Sequence, residues 1–158
     1  IRIKDFKTFL MSNFKDRDMG SASLILSVNI CRDRKNKRIT IDQEHYINSL
    51  INKYNISGNE VRRISTPASS PESLLPKKAN LPEAETDVSE YQTLIGELNW
   101  LVRGTRPQNC YTLNKLAQNR YSPVVRHMDA AKRLLKYTCN SKSQRLVYSE
   151  SRASFETQ

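Results

Sequence analysis

V-S-E-Y-Q-T-L-I-G-E-L-N-W-L-V-R-G-T-R occupies residues 88–106 and carries the clearest helical period in the chain. Tyr91, Leu94, Ile95, Leu98 and Val102 recur every three or four residues and form one apolar stripe. Gln92, Gly96, Asn99, Trp100 and Arg103 fall on another face of the same helix. That second face is unusual, because a glycine inside a helix costs about 1 kcal/mol relative to alanine. An amide and the single Trp of the chain flank it. Two readings stand open. The face suits close backbone approach to something grooved, such as a nucleic-acid minor groove. Alternatively it is a packing face whose Gly admits a neighbouring helix and whose Trp enters the core.

Working outward, residues 107–120 read as a second helix, with Pro107 in its first turn and Thr105 as its cap. Leu113, Leu116 and Ala117 form its inward side, with Cys110 and Tyr111 nearby. Residues 123–138 read as a third helix with Val124, Met128, Ala131, Leu134 and Leu135 inside. Arg126, Lys132, Arg133 and Lys136 are placed outside. A short strand follows at 145–148. Before the central helix, residues 57–87 contain Pro67, Pro71, Pro76 and Pro82 and no period, so they form a linker, either mobile or wrapped over the surface.

Three earlier elements precede that linker. Residues 3–17 read as a helix with Ile3, Phe6, Leu10 and Phe14 inside and Lys4, Asp5, Lys7, Lys15 and Asp16 outside, stopped near Gly20. Residues 23–42 read as a hairpin: Leu24, Leu26, Val28 and Ile30 alternate, then Ile39 and Ile41. Its tip carries Arg32, Arg34, Lys35, Lys37 and Arg38 against Asp33 alone, with a turn centred near Lys35-Asn36. The tip is either a phosphate contact or a solvated loop. Residues 42–55 read as a helix capped by Asp42 or Thr40, with Tyr46, Ile47, Leu50, Ile51 and Tyr54 inside and His45 on the surface. The expected class is therefore α+β, mostly helical: helix, β-hairpin and helix, then a three-helix bundle.

The formal net charge is +10, with 27% charged residues. Residues 1–60 hold 11 basic and 7 acidic side chains, residues 61–87 hold 4 and 4, and residues 88–158 hold 11 and 5. The excess thus sits on the structured parts, which favours polyanionic partners held in a salt-dependent way. No apolar run approaches the ~20 residues a membrane helix needs, so no membrane partner is expected. Cys31, Cys110 and Cys139 are odd in number and widely spaced, without zinc or disulfide patterning, which fits a reducing compartment. The chain starts at Ile1 and reads as an internal fragment.

The run Y-Q-T-L-I-G-E-L-N-W, residues 91–100, resembles the first thumb helix of reverse transcriptases. With the T-R-P that follows at 105–107, it resembles the polymerases of copia-type retrotransposons. The resemblance covers nearly the whole chain. F-K-D-R-D-M-G at 14–20 stands for the family's F-x-M-K-D-L-G. I-L-S-V-N-I at 25–30 stands for F-L-G-I-x-I, with Ser27 in place of Gly. Residues 39–56 follow the pattern Q-x-x-Y closely, and Thr66-Pro67 match a family T-P dipeptide. S-P-x-x-x-H-M-D-A-A-K-R-L-L-K-Y at 122–137 matches P-x-x-x-H-W-x-A-x-K-R, with Met128 for Trp. Gln108-Asn109 replace the Asp-Ile of T-R-P-D-I.

The resemblance implies a distal palm-like segment with a primer-holding hairpin at 1–56, a linker at 57–87, a thumb-like helical domain at 88–149 and a tail at 150–158. It implies binding of an RNA/DNA template–primer duplex. It further implies a Pol polyprotein context, with palm and fingers upstream and ribonuclease H downstream, in an intracellular, cytoplasmic and particle-associated setting. Gln92, Gly96, Trp100 and Arg103, the tip residues Arg32, Arg34, Lys35 and Lys37, and Arg126, Lys132 and Arg133 are the expected nucleic-acid contacts. Such polymerases use two Mg²⁺ ions held by palm aspartates in a Tyr-x-Asp-Asp turn and an earlier strand. This chain has no Asp-Asp pair, and Asp16 and Asp18 read as solvated charges. No catalytic residue, metal site or cofactor is expected here, and the chain alone is expected to be inactive. The alternative is a transposon-derived, non-enzymatic basic helical module that binds RNA or protein.

Overall fold

Helix α4 spans Val88–Gly104 in the computed structural model, the limits that the apolar period predicts. The structure describes residues 2–15, 17–61, 64–77 and 83–150; Asp16, Pro82 and the tail from residue 151 lie outside them. Asp87 caps α4 by accepting the Glu90 N–H at 2.8 Å. Tyr91, Leu94, Ile95, Leu98 and Leu101 are the buried stripe, while Val102 packs only partly.

The other helices close around α4. Pro107–Asn109 form a 3-10 turn that leads into α5, Cys110–Ala117. The expected second helix is thus shorter, and Thr105 does not cap it: Thr105 is the C-cap of α4, and its amide bonds Leu101 O at 2.9 Å. Helix α6 spans Val125–Asn140 and buries Met128, Ala131, Leu134 and Leu135, as its period predicts. Helix α2, Glu44–Lys53, adds Ile47 and Leu50 to the same core. Tyr91 lies at the centre; its hydroxyl donates to Leu116 O at 2.8 Å, so full burial leaves no polar group unpaired. Losing one such buried Leu costs about 2–5 kcal/mol.

The linker is wrapped and partly regular. Helix α3 covers Gly58–Val61, a 3-10 turn covers Pro71–Leu74, and Val61, Ile64 and Leu74 are buried. Its far end runs beside the start of α6, where Val125 N–H bonds Ala84 O at 2.9 Å.

Four antiparallel strands form one sheet in the order β1 (Leu24–Ile25), β2 (Val28–Asp33), β3 (Arg38–Asp42) and β4 (Leu146–Ser149). Here the structure corrects the expected hairpin. The run 24–30 is two strands, broken at Leu26 and Ser27, whose φ values are 49° and 63°. Two successive left-handed residues make the tight loop that matches strand twist. Ser27 stands where the resembling family has glycine, the residue for which positive φ carries no Cβ penalty. The second turn covers residues 34–37 and is centred on Lys35-Asn36 as expected. Its left-handed residue is Lys37 (φ 49°) rather than Asn36. Asp33 holds it, accepting from the amides of Lys35 (3.0 Å) and Asn36 (3.1 Å) and from Asn36 Nδ2 (2.6 Å).

Helix α1 is Ile3–Asn13, four residues shorter than expected, and it buries nothing. Ile3, Phe6 and Phe14, expected inside, are exposed, because amphipathic spacing creates an apolar face without supplying a surface to cover it.

Candidate nucleic-acid interface

Once α4 commits its apolar stripe to the core, the position of Gln92, Gly96, Asn99, Trp100 and Arg103 follows. All five are exposed. Trp100 keeps 38% of its surface in solvent, so it is not the core residue that the packing reading requires. A Cβ placed on Gly96 would meet nothing within 4 Å. The glycine therefore admits no neighbouring helix of the described chain. Beside it lies a groove of about 510 Å³ between α4 and α5, lined in part by Gln92, Gly96 and Asn99. The Gln92 side chain donates to Arg120 O at 3.0 Å.

Glu97, on the flank of this face, accepts from Lys53 Nζ at 2.6 Å and from the Tyr54 hydroxyl at 2.7 Å. Burial and the bond to Glu97 push the Tyr54 phenol far above its ordinary value. These contacts fasten α2 to α4 and so orient the open face relative to the sheet.

The basic tip lies at the far end of β2 and β3. Arg32, Arg34 and Lys35 are exposed and, among the described residues, pair with no carboxylate. Lys37 pairs with Glu150 at 2.6 Å, both largely exposed. The Asp33 carboxyl is held below its ordinary value by the bonds from Asn36.

The cations of α6 do not form one outward row. Lys132 is exposed and 3.5 Å from Glu90. Arg133 turns to the linker and donates to Thr66 Oγ1 at 3.0 Å. Arg126, expected on the outside, is directed inward along the linker. Its Nε bonds Glu83 at 2.8 Å, Nη1 donates to Glu72 O (2.8 Å) and Leu75 O (2.7 Å), and Nη2 donates to Pro76 O (2.8 Å). A guanidinium with its donors so engaged has none left for a phosphate. The role of Arg126 is to clamp Glu72, Leu75, Pro76 and Glu83 onto the start of α6.

Polar residues of greater structural weight stand in plain motifs that the periodic reading passes over. Arg106, of the T-R-P triplet, is 0% exposed. Its Nη1 donates to Thr105 O and Oγ1, both at 3.0 Å, and its Nη2 to Ser141 O (3.0 Å) and Lys142 O (3.1 Å). It thus places a cation on the carbonyl end of α6. Burial lowers its pKa, and Asp42 nearby works against that. His127 is also fully buried; Nδ1 accepts the Val124 N–H at 3.3 Å, and Nε2 lies 2.8 Å from Leu75 O, which fixes the proton on Nε2. Neither expected cap of α2 stands at its N-cap, which is Gln43; Asp42, one residue earlier, accepts the Glu44 N–H at 3.2 Å and Asn29 Nδ2 at 2.7 Å.

Among the described residues no three His, Cys, Asp or Glu side chains group as metal ligands, and no helix is long and apolar enough to cross a membrane.

This chain is similar to the Pol polyproteins of retrotransposons. It is 25% identical over 138 residues to the retrovirus-related Pol polyprotein from transposon TNT 1-94 of Nicotiana tabacum, a match to 85% of this chain and 10% of the relative. It is 34% identical over 98 residues to the retrovirus-related Pol polyprotein from transposon RE1 of Arabidopsis thaliana, 61% of this chain and 6% of the relative. A transposon Ty5-1 protein of Saccharomyces cerevisiae is 26% identical over 147 residues, 93% of this chain and 45% of that protein. The chain therefore spans less than half the length of each of these relatives. No family model matches it, and no solved structure does.

Proposed function

We propose that this chain is the part of a copia-type reverse transcriptase that grips the template–primer duplex. On this reading residues 1–56 are palm-like, residues 88–149 are thumb-like, and the neighbouring partners are the other parts of the same Pol polyprotein. One observation carries the proposal: the α4 face centred on Gly96 is open and unfilled, although it displays an amide and a large aromatic ring. A helix face without a central side chain meets the wide, shallow minor groove of an A-form-like hybrid. Gln92 reaches groove acceptors there, Trp100 lies against sugars, and Arg103 reaches the adjoining phosphates. Arg32, Arg34, Lys35, Lys37 and Lys132 supply further phosphate contacts. Arg133, already bonded to Thr66, contributes charge near them.

The parent polymerase uses Mg²⁺ held by paired carboxylates. The residues described here do not fit that group, since they offer no such cluster. On this reading the addition of nucleotides to the primer falls to other parts of the polyprotein, and this chain contributes duplex binding.

The test is Gly96→Ala, measured by anisotropy of a labelled RNA–DNA hybrid and by thermal melting. The new methyl group enters open space, so the fold keeps its stability or gains up to ~1 kcal/mol from helix propensity. Duplex affinity falls. Unchanged affinity in a normally folded variant would overturn the groove reading.

A further inference from the structure

Strand β3 runs into α2 without a loop: Asp42 ends the strand, Gln43 is the N-cap and Glu44 begins the helix. Helix α2 is then tied to the end of the bundle at several points. At its start Gln43 Nε2 donates to Trp100 O at 3.2 Å, and Gln43 Oε1 accepts from Thr105 Oγ1 at 2.9 Å. At its end Lys53 and the Tyr54 hydroxyl both donate to the Glu97 carboxylate, at 2.6 and 2.7 Å. Lys53 Nζ also stands 5.3 Å from the centre of the Tyr54 ring. Between these ties Ile47 and Leu50 enter the core. Past the end of α6, Lys142 Nζ adds a bond to Asn48 Oδ1 at 3.3 Å.

A helix held at one point can swing about it. The ten residues of α2 set the Gln43 and Glu97 ties about 15 Å apart, so a swing about either one breaks the other. The basic tip is continuous with α2 through β3, whose five residues carry it about 14 Å from Asp42. The spacing between that tip and the α4 face is thereby set before any ligand binds. Gln43 is fully buried and part of the packing, whereas Glu97 lies outside the buried core. Removing the Glu97 carboxylate therefore frees one end of α2 without opening a cavity.

We propose that Glu97 is a positioning residue: by holding the end of α2 it fixes the distance from the β2–β3 tip to the α4 face, so that one duplex engages both at once. The proposal rests on the duplex-binding reading above. Contacts at a preset spacing act together, because once one has formed the other meets its phosphates at a high effective concentration.

The first measurement uses no nucleic acid. Cys31 on β2 and Cys110 at the start of α5 are exposed and take spin labels, while Cys139 is buried. Pulsed electron resonance then reads the spacing between sheet and bundle. The intact chain gives one narrow distance distribution. Glu97→Ala broadens it while circular dichroism shows the helices retained. Glu97→Gln, which keeps an acceptor for the Tyr54 hydroxyl, restores a narrow one. Should Glu97→Ala fail to fold, Tyr54→Phe decides, since it removes one hydroxyl and keeps the ring.

The second measurement is anisotropy of a labelled RNA–DNA hybrid against salt. In the intact chain, replacing Arg32, Arg34 and Lys35 by Ala lowers the slope of log affinity against log salt by up to ~2.7, at about 0.9 per phosphate contact on duplex DNA. In Glu97→Ala the same three substitutions lower it far less, because the tip no longer meets the duplex that α4 holds. A role for Glu97 in stability alone leaves the contribution of the tip undiminished. Duplex binding by the unaltered chain, with an equally narrow distribution or an undiminished tip contribution in Glu97→Ala, would overturn this assignment alone. No duplex binding by the unaltered chain would overturn it together with the reading it rests on.

Discussion

The buried amide of Gln43 occupies the space where any residue but glycine at 104 would place its Cβ: that atom would lie 2.5 Å from Gln43 Cδ and 2.6 Å from Nε2. Gln43 is 0% exposed, and its Nε2 donates to Trp100 O at 3.2 Å while Oε1 accepts from Thr105 Oγ1 at 2.9 Å. The start of α2 is thereby locked onto the end of α4. Gly104→Ala must push this amide aside and break both bonds, at a cost of about 1–3 kcal/mol from overpacking. Gln43→Ala also destabilises, but it removes the obstacle. Urea melts of the two single variants and the double variant should therefore show strong non-additivity, with Gly104→Ala nearly neutral once Gln43 is Ala. Additive losses would mean the two residues do not interact as described.

Arg106 is expected to be a determinant of stability and not of binding. Arg106→Leu deprives the part-buried carbonyls of Ser141 and Lys142 of their charged donor, a loss of about 1.5–3 kcal/mol for a hydrogen bond to a charged group. Thermal melting should register the loss, and the folded fraction should bind duplex with the affinity of the unaltered chain. Weaker binding at full folding would place Arg106 at the interface instead.

Stability should fall as the solution is made acidic. Burial lowers the pKa of His127 from the ordinary value of 6.5, with smaller opposing and reinforcing effects from Leu75 O and Arg126. The unfolded chain then binds a proton more readily than the folded one as pH falls below about 6.5. The contribution of neutral His127 is thus complete above that value and is lost as pH drops toward the lowered folded value. Urea melts across this range should show the decline, and His127→Gln should lower stability at neutral pH and flatten the decline. An equal pH dependence in both proteins would assign it to other groups.

At the β2–β3 tip, replacing Arg32, Arg34 and Lys35 together by Ala should leave the melting temperature almost unchanged, because these exposed side chains pair with no carboxylate among the described residues. The dependence of duplex affinity on salt should become flatter, since fewer counterions are released. An unchanged slope would make the tip a solvated loop.

The helices α4 and α6 were legible in the residues themselves, because a period sustained over 17 and 16 residues leaves one side to bury. The exposure of Gln92, Gly96 and Trp100 follows from that same period once its apolar stripe is committed to the core. The break at Leu26-Ser27 was hidden, since alternation continues through it and only the pairing of Leu24 with Asn29 shows that the chain has reversed. The orientation of Arg126 was hidden as well: helical spacing puts it opposite the apolar face, and the carbonyls that draw it onto the linker belong to Glu72, Leu75 and Pro76.

Local order in the sequence by itself thus determined which segments are helical, which faces are apolar, and that the chain resembles retrotransposon Pol polyproteins along most of its length. The tertiary structure alone decided what happens to the polar groups. Arg106 finds its acceptors at residues 141 and 142, His127 at residue 75, and Gln43 at residue 100. Strand β4 finds β3 about a hundred residues earlier in the chain. A buried donor or acceptor is tolerated only when paired, and its partner is set by three-dimensional proximity rather than by spacing along the chain. For the same reason the period that predicts an apolar face on α1 left open whether anything in this chain would cover it.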